Sequence, residues 1–158
     1  MKRVSFILMI AVLFAACGNS NSGKNLEGKE VIASYANGFP HLERDFKMVD
    51  GKRLAVYERE FYEDGNLLKE GPLSSEEQRD GNWKSYYRDG VLWSEGDFNN
   101  GVREGKTITY FANGNKYYEG QFLNGTKSGA WKFWNEKGEF VNEIHFDKGK
   151  RAEITIDK

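Results

Sequence analysis

The 158-residue chain is poor in the features that most often carry chemistry. Cysteine occurs once, at Cys17, which rules out an internal disulfide and leaves stability to packing. Histidine occurs only as His41 and His145, each with no cysteine or second histidine nearby. Metal sites usually draw on clusters of such ligands, so the expected metal count is none. Positive charge is not in surplus: 23 Lys and Arg face 24 Asp and Glu. That argues against nucleic acid and against a polybasic membrane patch, both of which need a cationic face. No apolar run reaches the roughly 20 residues that span a bilayer as a helix. No long stretch shows a helical period; only Ser74 to Asp80 reads as loop or short helix.

What is present begins with an address. Met1-Lys2-Arg3 is a positive start, Val4 to Ala16 is a short apolar core, and small residues precede Cys17. This is the signature of a secretory signal peptide over residues 1–16, with a retained anchor as the weaker reading. The stretch "LFAAC" resembles the lipobox of bacterial lipoproteins, with Phe14 where leucine is usual. The resemblance implies lipidation of Cys17 by two acyl chains such as palmitate, enough for stable attachment. A core cysteine or an ordinary cleavage site is the plainer alternative. Removing Lys2 and Arg3 leaves 21 basic against 24 acidic side chains, a balance of −3. Residues 17–26 then form the lipidated cysteine and a polar tether, and residues 27–158 the folded domain.

That domain repeats itself. Gly65, Gly90, Gly114 and Gly138 are separated by 25, 24 and 24 residues, and Glu70, Glu95, Glu119 and Glu143 keep the same intervals. Gly81, Gly105 and Gly129 recur at 24, as do Gly101, Gly125, Gly149 and Phe98, Phe122, Phe146. An eroded earlier copy shows at Tyr35 to Gly38, followed by Glu43. Each unit reads as a hairpin of β-branched and aromatic residues around an Asn-Gly or Asp-Gly turn with positive φ. A second connection, Leu123 to Gly129, returns the chain. The expected fold is all-β: an elongated, twisted, single antiparallel sheet of about five stacked hairpins of ~24 residues, best formed over 57–149.

The segments "YYEGQFLNGTKSGAWKFWNEKG", "WSEGDFNNGVREGKTITYFANG" and "GNWKSYYRDGVLWSEG" resemble MORN repeats of the bacterial variant class. Tyr118, Gly120, Phe122, Gly125 and Gly129 match the pattern position by position. Thr107 departs from it where Trp83 and Trp131 stand in sister units, and Asn135 departs where Tyr87 and Phe111 stand. The resemblance implies a binding scaffold without catalysis. Bacterial variants are often catalogued as antitoxin components, which would make the partner a toxin.

Chemical readings of single residues fare poorly. Gly101 to Thr107 suggests a phosphate loop, but its glycines are one residue too close and a strand pattern follows. The glutamate column could supply acid–base pairs, yet catalysis needs one differentiated site. Four equal glutamates read instead as structural, accepting turn amides or pairing with a nearby Lys or Arg. Asn124-Gly-Thr126 fits a glycosylation sequon and reads as a turn. No nucleophile triad assembles, so no enzyme and no cofactor are expected.

The aromatic columns keep functional potential, because exposed rings stack on sugars or anchor protein partners. The candidates are Trp83, Tyr86, Trp93, Tyr110, Tyr117, Trp131 and Trp134, weighed against the plainer role of covering their own sheet. The expectation is a protein-binding envelope lipoprotein touching the membrane only through its lipid, with glycan or peptidoglycan binding as the alternative. Gly18 in place of an aspartate after the cysteine favours the outer membrane.

Overall fold

The computed structural model describes residues 26–152. The signal segment, Cys17, the tether up to residue 25 and the last six residues of the repeat domain lie outside the described residues.

Eleven strands follow in order: β1 (Gly28–Ser34), β2 (Pro40–Val49), β3 (Lys52–Phe61), β4 (Leu67–Pro72), β5 (Gly81–Tyr86), β6 (Leu92–Asn99), β7 (Val102–Tyr110), β8 (Lys116–Leu123), β9 (Thr126–Trp134), β10 (Phe140–Asp147) and β11 (Lys150–Arg151). Their order in the sheet is their order in the chain, and every neighbour is antiparallel. The short connections dictate this, since an antiparallel neighbour needs only a tight turn whereas a parallel one needs a crossover of a dozen residues. The result is one open sheet of five hairpins plus β11, with no helix among the described residues. Ser74 to Asp80 is a turn excursion closed by a Leu73↔Arg79 bridge. Because of it, β4 and β5 pair only through Lys69↔Ser85 and Glu70↔Lys84.

The two ends of the hairpins differ from the sequence expectation. The positive-φ pair of a two-residue turn was expected at Asn113-Gly114, with a longer return near Asn124. Instead Asn100-Gly101 (φ 45 and 82) and Asn124-Gly125 (φ 49 and 75) hold both residues in the left-handed region. These, with Asp50-Gly51 and Lys148-Gly149, are the tight turns that match strand twist. At the other end only the glycine is left-handed, as at Gly114 (φ 84). There the side chain before the glycine takes over: the Asn113 Oδ1 accepts the Asn115 amide at 3.0 Å, and Asp64, Asp89 and Asn37 do the same for Asn66, Val91 and Phe39.

Those looped tips are laced together. The Tyr35 hydroxyl donates to the Phe61 carbonyl at 2.7 Å, Tyr62 to Tyr86 at 3.0 Å, and Tyr87 to Tyr110 at 2.9 Å. Each tyrosine thus ties its own hairpin to the first strand of the next. Phe111 has no hydroxyl, and there the Asn113 and Asn115 amides donate to the Glu136 carbonyl instead, at 2.7 and 2.8 Å.

A single layer has no second layer to bury against. The sheet covers itself by laying large rings over glycine. On one face the Trp131 indole lies over Gly120 and Trp83 over Gly71, so close that a Cβ at either glycine would stand 2.4 or 2.5 Å from the ring. Gly71 and Gly120 are therefore packing requirements, the flat sites that a neighbouring tryptophan occupies, whereas Gly96 of the unit between them faces Thr107.

Candidate interaction surface

The glutamate column lies on the opposite face. Strand register aligns Glu43, Arg59, Glu70, Lys84, Glu95, Ile108, Glu119, Lys132 and Glu143 in one row across the sheet. Acid and base alternate along it except at Ile108, which is buried between two glutamates. Cross-strand opposite charges stabilise a sheet, and this alternation is a structural answer to the column. Of the two roles expected for these glutamates, pairing with Lys or Arg is seen at Glu70, Glu119 and Glu143, while Glu95 accepts from a tyrosine. Glu70 lies 3.8 Å from Arg59, and Glu143 lies 4.0 Å from Lys132. Glu119 binds Lys116 at 2.8 Å, a contact that holds its carboxyl below the ordinary range.

Two of the seven candidate aromatics belong to this row. The Tyr86 hydroxyl donates to Glu70 at 2.9 Å and Tyr110 to Glu95 at 2.8 Å. Burial and the neighbouring carboxylate push both phenols up to about 12. Two more are spent on the first face. Trp131 is 2% exposed, edge-on to Phe122 and Phe146 at 5.2 and 5.9 Å. Trp83 is 4% exposed, and its Nε1 donates to the Pro72 carbonyl at 2.8 Å. The seven rings therefore do not form one ladder. Strand bulges shift the inside–outside alternation near each tip, and buried Trp83 and Trp131 have no ring face to offer a partner.

Sequence reading missed a column of cations. Arg53, Arg79, Arg103 and Lys127 each stand two residues after a left-handed turn residue (Gly51, Glu77, Gly101, Gly125) and stack on the ring face. The Arg103 guanidinium sits 5.2 Å from the Phe98 centroid and 5.3 Å from Phe122, filling the gap between equivalent rings of successive hairpins. The 24-residue interval from Arg79 to Arg103 to Lys127 was the available signal.

The other candidates sit toward the looped tips. Trp93 is 46% exposed and Tyr117 44%, each three residues after its turn glycine; Val141, which was not a candidate, holds the same position in the last hairpin and is 58% exposed. Trp134 is half-buried, edge-on to Phe140 at 6.1 Å with Lys116 over its ring at 5.2 Å. Beside Tyr117 and Val141 opens an apolar pocket of about 460 Å³, floored by Phe133 and Ile144 and bounded by Phe111, Trp134 and Asn135.

The remaining motifs are structural. Lys106 lies within β7, and its amide donates to Asp97 at 3.2 Å, so the glycine-rich stretch turns its amides to a carboxylate of its own chain. His41 packs on Tyr35 at 4.7 Å, and His145 contacts Glu143 at 2.7 Å. Among the described residues no three His, Cys, Asp or Glu side chains gather as a metal site.

Residues 57–73, 79–100 and 103–124 match the family model of the MORN repeat variant. The chain carries three consecutive MORN repeats. No curated protein matches it. MORN repeats serve in general as non-catalytic interaction repeats for proteins and membranes. The matched MORN units begin in β3 and end after β8. The hairpin β9–β10 lies beyond the match yet keeps the same register, glycine–tryptophan contact and stacked cation. The apolar pocket lies mostly on this unmatched hairpin, against the last MORN repeat.

Proposed function

We propose that this chain is a non-enzymatic envelope lipoprotein, attached through Cys17, whose MORN sheet binds another protein. The observation that carries the reading is the apolar pocket with exposed Tyr117 and Val141 at its mouth, and Trp93 exposed at the same strand position one hairpin earlier. Exposed rings grouped at one margin mark interaction sites more often than scattered ones do. Each glutamate of the column is engaged by a side chain of its own sheet, which supports a structural role for the column and a binding role over hydrolysis.

The test is capture from whole cells by cross-linking the native chain, compared with Trp93→Ala/Tyr117→Ala. A protein partner lost in the variant supports the scaffold. Retention on cell-wall glycan with no protein captured overturns it in favour of sugar stacking on the same two rings. Metabolic labelling with a palmitate analogue, lost in Cys17→Ser, tests the anchor.

A further inference from the structure

The pocket exists because one column of rings stops. Tyr35, Tyr62, Tyr87 and Phe111 each stand three residues before a looped-tip glycine, and Asn135 takes their place in the last hairpin. In three earlier hairpins that ring faces the residue six positions on: Tyr35 meets His41 at 4.7 Å, Tyr87 meets Trp93 at 6.3 Å, and Phe111 meets Tyr117 at 4.7 Å. The corresponding mate of Asn135 is Val141, which instead stands 58% exposed.

Asn135 does not fill the space. Its Oδ1 accepts the Lys137 and Glu139 amides, both at 3.0 Å, and its Nδ2 donates to the Glu139 carboxylate at 2.8 Å. The side chain is folded back into its own loop, leaving the apolar floor of Phe133 and Ile144 open. At the lip, the exposed Glu136 carboxylate makes no ion pair among the described residues. The opening thus combines an unfilled ring position with an uncompensated negative charge.

We propose that this pocket receives an aromatic side chain from a partner polypeptide whose neighbouring lysine or arginine pairs with Glu136. The proposal rests on the protein-binding reading and names the chemistry of the partner's anchor. The ring completes, from outside, the column that the chain completes from inside in its other hairpins. A buried aromatic ringed by polar contacts is the usual centre of a protein interface.

The probe is the tripeptide acetyl-Lys-Tyr-Lys-amide, titrated into the full chain and followed by amide chemical shifts. The expected result is saturable shifts at Tyr117, Val141 and Ile144 with affinity on the order of millimolar, as one buried ring allows. Acetyl-Lys-Ala-Lys-amide should leave these signals unmoved, and acetyl-Glu-Tyr-Glu-amide should bind several-fold more weakly. Asn135→Tyr supplies the ring from within: it should keep the spectrum of the fold and weaken the tripeptide by about tenfold or more. Glu136→Gln should cost about threefold, with the ring site intact. Shifts elsewhere, equal binding of the alanine peptide, or unchanged binding by Asn135→Tyr would overturn the assignment. The titration needs no native partner, so its failure removes the pocket and leaves the scaffold reading to the cell-capture experiment.

Discussion

The two ends of the sheet share one backbone plan and solve its burial problem differently. Around β9 the tryptophan-bearing face is a cluster of rings, with Tyr118, Phe122 and Phe146 against Trp131. Around β3 the same face is ionic: Arg44 binds Glu58 at 2.8 Å, Glu60 pairs with Lys69, and only Ala55 is buried. Half-exposed ion pairs contribute about 0–1 kcal/mol each, whereas burying a large ring contributes several times that. The hairpin register therefore tolerates either chemistry, but the two ends are unequally stable. Between them lies the narrow β4–β5 seam, the natural place for the array to part.

Breaking the ring end should have the largest effect. Trp131→Ala is expected to cost about 3–5 kcal/mol in urea unfolding, from lost burial and the cavity left over Gly120. Gly120→Ala attacks the same contact from below, since its Cβ would meet the indole at 2.4 Å, and should cost about 1–3 kcal/mol. Gly96→Ala sharpens the point. Its nearest neighbour is the Thr107 Oγ1 at 3.1 Å, so the same substitution in the same column should be clearly milder. At the ionic end, Arg44→Ala should cost no more than about 1 kcal/mol. Native-state hydrogen exchange checks the comparison directly: amides of β2 and β3 should exchange before those of β8 and β9.

The smallest expected effects are electrostatic. Tyr86 and Tyr110 titrate near 12 in the folded chain, above the ordinary phenol value of 10.0. A raised value stabilises the fold fully below the unfolded pKa and is lost as pH rises through the folded one, so their contribution fades between pH 10 and 12. Burial beside Glu70 raises Tyr57 as well, so absorbance at 295 nm should show a group of late phenols that loses one member in Tyr110→Phe. Glu119 runs the other way. Its lowered value contributes above the ordinary carboxylate range and is lost on acidification, an effect Lys116→Ala should diminish.

Much of this architecture was legible in the sequence. Glycine and glutamate columns at constant intervals fixed hairpin length and strand order, because short connections leave a chain only its immediate neighbour to pair with. Which tip carried which turn was not legible, since Asn-Gly serves both; the choice depends on whether the asparagine side chain captures an amide two residues on. The division of aromatics between faces was hidden by bulges, each of which breaks the period of two that locates a side chain. The bases paired with the glutamate column are set by register, and they surfaced only once Lys84 and Lys132 were seen opposite Glu95 and Glu143. Asn135 was visible as a departure from the repeat, but a missing ring becomes a pocket only when the neighbouring side chain is seen turned away.

The tyrosine lacing has a consequence for how such chains lengthen. Tyr62 reaches the carbonyl of Tyr86 and Tyr87 that of Tyr110, so donor and acceptor lie 24 and 23 residues apart. A tandem duplication of one unit that includes Tyr62 or Tyr87 copies a donor and an acceptor together and leaves no bond unmatched at the join. The stretch of gene that can be inherited as a block need not coincide with the hairpin that packs as a block, and arrays of this kind can gain a unit in a single recombination event.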